Sequence, residues 1–398
     1  MSPWTPQKLT AALAAALVLT LAGCASAPPL PIAADLPLAQ AVAAAADQAV
    51  ARMDGERGLA RFLNKSTRLY IAPVLDAHSR QQTATTLRVR ELLAVHLKSQ
   101  HRGLELVPFT AAAAAVSEVR LDTTLTAATL SDGRRASDRL VLDLRFVSLK
   151  DGRTLARSEA SVADPALDGT PTAFYRESPF TLPPPEVVTA TATPPATGAA
   201  PLSERERTVP IARLDEAGAA YSAGSYDRAL ALYRSAETLP GADTMQALVG
   251  TYLASVRSGR EEASRDAFSR IVTLGLKTRA MGVKLLFAPG KTDYIADPAI
   301  SKPYPDWLRE IARQAGEAPS CLQVVGHSSR TGALDYNLAL SAQRAVAVRE
   351  QLEAANPALA RRIDTDGVAW RDNLVGTGSD DLKDAVDRRV EFKVVDCR

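Results

Sequence analysis

Apolar positions recur at helical spacing from Leu38 to Met53, in an alanine-rich stretch, and again from Thr85 to His101. In the second run Val89, Leu92, Leu93, His96 and Leu97 share one face, so His96 reads as a packed residue, not a catalytic one. Around these helices the period shortens. Leu69-Tyr70-Ile71-Ala72-Pro73, Leu104 to Phe109 and Leu121 to Leu130 read as strands, and Leu140, Leu142, Leu144 and Phe146 alternate with Val141, Asp143, Arg145 and Val147 as a fourth. Asp151-Gly152 turns a hairpin into Thr154 to Val162. Helices mixed with strands at this spacing predict a small α/β domain over residues 37–170.

The pattern lapses over residues 171–210. The run from Thr181 to Leu202 is rich in Pro, Thr and Ala and poor in large apolar side chains, so it cannot offset the entropy of ordering and reads as a linker. Helical periodicity returns over 211–278, where Tyr221, Gly224, Tyr226, Ala229, Tyr233 and Ala236 stand at the spacings of a tetratricopeptide repeat. Gly259, Ala263, Ala267 and Phe268 resemble a degenerate second copy. So short an array is marginal by itself, which predicts packing against the next domain. A plain helical hairpin and a peptide-binding surface both remain open for it.

From residue 279 onward the order is strand (Val283 to Phe287), helix (Pro305 to Gln314), strand (Leu322 to Gly326), helix (Leu340 to Ala354), weak strand (Thr365 to Trp370) and strand (Arg389 to Val395). The fold class is therefore multidomain, α/β and α+β, ending in a βαβαββ unit over 279–398.

Charge and composition narrow the function. Forty-seven Lys and Arg against 45 Asp and Glu leave a formal net charge of +2, too weak a field to grip nucleic acid without local clustering. Three cysteines and the histidines His78, His96, His101 and His327 show no zinc-site spacing, so neither a metal nor a cofactor is expected. Pro289-Gly290-Lys291-Thr292 mimics the end of a phosphate-binding loop, but the pattern needs glycine at Leu285. No nucleophile elbow or acid–base pair stands out, so the chain does not read as an enzyme.

At the start of the chain Lys8 precedes an apolar stretch, Leu9 to Leu21, too short to span a bilayer and ending in Leu21-Ala22-Gly23-Cys24. This resembles a bacterial lipoprotein leader; a short buried helix with a chance cysteine is the alternative. The resemblance implies cleavage after residue 23, acylation of Cys24, and a tether over 24–36. Ala25, where aspartate would signal retention, implies the outer membrane by similarity to enterobacterial sorting, with the body in the periplasm. The domain over 37–170 loosely resembles the periplasmic α/β modules of flagellar and synthase-activating lipoproteins. With Cys24 lipidated, Cys321 and Cys397 would remain in an oxidising compartment, where they are expected to pair; two separate buried thiols are the alternative.

The last 120 or so residues carry Gly326-His327-Ser328-Ser329-Arg330-Thr331-Gly332, Tyr336-Asn337, Leu340-Ser341-Ala342-Gln343-Arg344-Ala345 and Asp387-Arg388-Arg389-Val390-Glu391. In this order they resemble the OmpA-like peptidoglycan-binding domain. The resemblance implies capture of the diaminopimelate side chain of stem peptides, whose end carries an ammonium and a carboxylate on one carbon. Arg344 matches the arginine that takes the carboxylate, with a fork that lysine cannot reproduce; an ion pair with Glu350 or Asp384 is its alternative. Asn337 matches a ligand-holding asparagine, His327 belongs to the binding-loop motif, and Arg388 matches an arginine near the site. Two residues after His327 the family has aspartate, facing the ammonium, and this chain has Ser329. Asp387 stands where the family has asparagine and would restore the missing charge; pairing with Arg388 or Arg389 is its alternative.

The same fold implies that the strands ending at Gly326 and starting at Arg388 run antiparallel, which brings their far ends, Cys321 and Cys397, together. The expected function is an outer-membrane lipoprotein binding peptidoglycan and linking other envelope proteins to the wall. The alternative is an assembly or secretion-complex scaffold whose C-terminal site is disabled and whose repeat-like helices dock proteins.

Overall fold

The computed structural model describes residues 35–57, 66–181 and 200–397. The apolar leader, Cys24 and most of its tether, and residues 182–199 of the proline-rich run lie outside the described residues. Among those described, no helix is long and apolar enough to cross a membrane.

The first domain packs two helices, α1 (Leu38–Arg57) and α2 (Ala84–Gln100), on a sheet of β1 (Thr67–Ile71), β2 (Leu75–Asp76), β3 (Leu104–Leu106), β4 (Val119–Thr129), β5 (Arg135–Ser148) and β6 (Thr154–Ala163). Strand order is β3-β1-β4-β5-β6, with β2 beside β4. The alternating positions Leu140, Leu142, Leu144 and Phe146 point into one core with Leu121, Leu93 and Leu97. Alanines at 41, 45, 46 and 49 let α1 lie close to the sheet, where Ser158 Oγ donates to the Ala45 carbonyl at 2.7 Å. A short helix, α3 (Ala111–Ala115), precedes β4.

His96 does not sit in this core. It lies half-buried at the edge of the apolar face, because Asp47 of α1 draws its Nε2 to 2.7 Å.

The stretch read as linker contributes structure at both ends. Its α4 (Ala173–Glu177) and Phe180 bury three aromatic rings, Phe174, Tyr175 and Phe180, which sequence periodicity cannot credit because their core comes from other segments. At the other end Ser203 and Glu206 form a capping box, so α5 (Glu204–Ser222) starts earlier than the apolar spacing implied. There follow α6 (Tyr226–Glu237), α7 (Thr244–Arg257) and α8 (Glu261–Thr278), each packed on the one before. Glu177 ties α4 to this block by accepting from Tyr221 Oη at 2.5 Å and Arg257 Nη2 at 2.7 Å.

The C-terminal domain contains β7 (Lys284–Leu286), α9 (Pro298–Ser301), α10 (Tyr304–Glu317), β8 (Cys321–Gly326), α11 (Leu334–Ala355), β9 (Ile363–Gly367) and β10 (Arg389–Val395). Its sheet runs β7-β10-β8-β9, with β10 antiparallel to both neighbours and β8 parallel to β9. As expected of so short an array, the helical block shares a core with this domain: Phe268 stacks on Trp307 at 5.2 Å, and Trp307 Nε1 donates to Tyr252 Oη at 2.9 Å. Register pairs Val390 with Gly326 and Val395 with Cys321, and a Cys321–Cys397 disulfide closes the far end.

Candidate functional site

Helix α11 carries Arg344, and two glycines let it press on the sheet. A Cβ at Gly326 would stand 1.9 Å from the Ser341 carbonyl oxygen, and one at Gly367 would stand 2.4 Å from the Ala342 nitrogen. At that distance the Arg344 side chain reaches through to the loops beyond β7 and β8. It is fully buried. Nε donates to Lys291 O at 2.9 Å, Nη1 to His327 O at 3.0 Å and Nη2 to Ala288 O at 2.9 Å. Neither alternative ion pair is formed among the described residues, and Asp384 accepts instead from the N–H groups of Thr377, Ser379 and Asp380.

A guanidinium offers five N–H donors, and these bonds use three. Burial, then the nearby charge of Arg388, pulls the Arg344 pKa down to about 10, against the opposing influence of Asp380 and Tyr336. Arg344 is thus a desolvated cation with no carboxylate bonded to it among the described residues.

The remaining motif residues shape the surrounding loops. Asn337 Nδ2 donates to Thr331 O at 2.7 Å and Ala333 O at 3.0 Å, pinning the loop that follows β8. His327 Nε2 lies 3.2 Å from Glu391 Oε1. Burial, then Arg389, lowers the His327 pKa, against the opposing influence of Glu391. Ser329 Oγ donates to Asp380 Oδ1 at 2.8 Å, and Arg388 Nη1 donates to the same oxygen at 2.7 Å.

Asp387, expected to turn its charge toward the ligand or toward Arg388 or Arg389, does neither. It is fully buried and accepts from the N–H groups of Leu374, Val375 and Gly376 at 2.6, 3.0 and 2.7 Å. Burial raises its pKa, and the bonds from Val375 and Gly376 oppose that. Its carboxylate is used up in holding a turn.

The carboxylate that does stand beside Ser329 is Asp380, which the sequence did not single out. Arg330 turns away from the pocket and donates to the carbonyls of Gly133 and Asp132 in the first domain. The false phosphate loop has a structural use, since Ala288 and Lys291 supply two of the acceptors that hold Arg344. A groove of about 360 Å³ runs along the outer side of that strap, between Lys291, Tyr336 and Gln343.

Elsewhere, Asp47, His96 and His101 are the only three metal-ligating side chains that converge among the described residues, with both Nε2 atoms within 2.8 Å of Asp47 Oδ1. Hydrogen bonds from two rings to one carboxylate account for the grouping. Sequence spacing missed it because Asp47 comes from a different helix.

Residues 287–386 match the OmpA family, and the chain carries an OmpA-like domain at its C terminus. No curated protein matches the chain. Similar solved structures include the OmpA-like domain of FopA1 from Francisella tularensis subsp. tularensis SCHU S4, at 21% identity and TM-score 0.23, covering 29% of this chain and 73% of that one. The cell wall anchor of the T6SS from Pseudomonas aeruginosa is 25% identical at TM-score 0.25, covering 32% of this chain and 96% of that one. The LpoB C-terminal domain from Salmonella enterica is 11% identical at TM-score 0.18, covering 28% and 98%.

Proposed function

We propose that this chain is an outer-membrane lipoprotein, acylated at Cys24, whose OmpA-like domain binds the diaminopimelate-containing stem of peptidoglycan without covalent attachment. Its first domain and helical block then present surfaces to other envelope proteins, and no chemistry is performed on the wall. The supporting observation is Arg344, a buried guanidinium with two N–H groups lacking an acceptor among the described residues. A buried cation held only by neutral carbonyls is costly to keep, and a carboxylate arriving from outside would relieve that cost. Charge-assisted hydrogen bonds are about twice as strong as neutral ones, so a ligand carboxylate can displace a carbonyl of the Ala288–Lys291 strap. Ser329 and Asn337 then border the ligand, while Asp387, His327 and Arg388 hold the loops in place.

A second reading, a scaffold whose pocket no longer takes ligand, is favoured by the complete burial of Arg344 and by the contact of Arg330 with the first domain. Co-sedimentation separates the two. The chain lacking its first 24 residues should pellet with purified sacculi and be released by a diaminopimelate-containing muropeptide. Absence of pelleting, or pelleting that the muropeptide does not compete, leaves the scaffold.

A further inference from the structure

Asp380 has two carboxylate oxygens in different situations. Oδ1 takes both hydrogen bonds, from Ser329 Oγ at 2.8 Å and Arg388 Nη1 at 2.7 Å. Oδ2 has no partner among the described residues, and the side chain is 28% exposed. One oxygen is locked and the other is unpartnered among the described residues.

The backbone around Asp380 sets that arrangement. Asp380 has φ of 58°, in the left-handed region that most side chains avoid and that aspartate and asparagine enter more readily than others. Asp384 fixes it there: its Oδ2 accepts from the N–H groups of Ser379 and Asp380 at 2.9 and 3.3 Å, and its Oδ1 from Thr377 Oγ1 at 2.6 Å. Arg388 is anchored in turn on Phe287 O and Asp381 O. A partly exposed ion pair is a weak reason for such a conformation. A positioned acceptor is a better one.

Arg344 is bonded to the same loop and feels the charge of Asp380. Its Nη1 holds His327 O, two residues before the serine that holds Asp380. The loop from 327 to 329 therefore joins a cation lacking an anion to an anion with a vacant oxygen, a pairing complementary to an amino-acid head group with a free amine.

We propose that Asp380 Oδ2 accepts the ammonium of the ligand whose carboxylate goes to Arg344. This rests on the stem-peptide reading above and names the acid that performs that part of recognition, in place of Asp387.

The test is calorimetric titration of a diaminopimelate-containing muropeptide, with its side-chain amine free or acetylated, into the wild-type chain and variants. Asparagine tolerates left-handed backbone, so Asp380→Asn keeps the turn while removing the charge. It should weaken free-amine binding about tenfold or more, as loss of a charge-assisted bond would, and leave the weak binding of the acetylated form unchanged. Ser329 Oγ lies 2.8 Å from Asp380 Oδ1, so Ser329→Asp added to Asp380→Asn puts a carboxylate back beside that position and should restore affinity. If Asp380→Asn binds the free-amine form as tightly as wild type does, the assignment is wrong and the peptidoglycan reading survives. No binding by wild type removes both. Should Asp380→Asn unfold, as thermal denaturation would reveal, the wild-type comparison decides: equal affinity for free and acetylated amines overturns the assignment, and a tenfold preference for the free amine supports it.

Discussion

Arg330, on the loop after β8, donates to the carbonyls of Gly133 and Asp132, at the tip of the β4–β5 hairpin and 197 and 198 residues upstream. The contact has company. Arg135 N donates to Gly376 O at 2.9 Å, Arg135 Nη1 to Leu374 O at 2.8 Å, and His78 Nε2 lies 2.8 Å from Asn373 O. The β4–β5 hairpin, together with His78, thus ties the first domain to the two segments that carry Ser329 and Asp380. Arg330→Ala should loosen the tie without unfolding either domain. Hydrogen exchange is expected to accelerate at the Arg135 amide and to stay unchanged across the β8–β10 ladder. Unaltered exchange at Arg135 would mean that Arg330 is incidental to the docking.

Lys284 gives a pH dependence of known sign. Its ammonium is buried on β7 with one acceptor among the described residues, Tyr175 O at 3.3 Å, and burial, then the charge of Arg389, lowers its pKa from 10.5 to about 7. The unfolded chain therefore binds more protons between pH 7 and 10.5, and stability contributed by this group rises with pH across that window. Below pH 7 the penalty is complete and on the order of a few kcal/mol. Lys284→Met should raise the unfolding temperature by several degrees at pH 6, with the advantage shrinking toward pH 10. Melting curves of both proteins over that range check it; a gain that does not vary with pH would assign the effect to packing.

The contrast between these residues marks what sequence can and cannot carry. The final strand, Arg389–Val395, and the helix faces of Val89, Leu93 and Leu97 follow from local period alone, and the structure has them where the period puts them. Arg344 was recognisable by its motif, but its burial was not, because the covering carbonyls of Ala288 and Lys291 lie more than fifty residues away. Asp380 is harder still. It sits in an aperiodic run, Gly376 to Asp381, and reaches Ser329 only through a left-handed backbone that Asp384 holds in place. Asp387 was singled out because it stands where the resembled family has asparagine, with pairing to the adjacent Arg388 or Arg389 as its alternative, yet the three amides that bind it come from residues 374–376. Charge next to charge along the chain says little about charge next to charge in space.

The Cys321–Cys397 bridge fastens the end of the β8–β10 ladder opposite the pocket, across a separation of 76 residues. Loop-closure entropy for a ring of that size corresponds to roughly 4 kcal/mol, reduced by whatever strain the native bridge carries. Replacing both cysteines with serine should lower the denaturant midpoint substantially. Muropeptide affinity at low temperature should hold, since neither sulfur approaches the ligand loops. Equal midpoints for the oxidised protein and the double-serine variant would show that the bridge adds no stability.

Arg344→Lys tests what the fork does beyond carrying charge. The three carbonyls of Ala288, Lys291 and His327 are met by three different nitrogens, spread across a plane, whereas a lysine gathers its donors on a single atom. At least one buried carbonyl must then lose its partner, at about 1–3 kcal/mol each. The strap over residues 288–291 and the loop after β8 would come apart together, since one guanidinium joins them. The variant should therefore melt several degrees below wild type and fail to pellet with sacculi even at temperatures where circular dichroism finds it folded. Full retention of both stability and pelleting would mean that a point charge suffices, and that the fork geometry has no part in holding the loops or the wall.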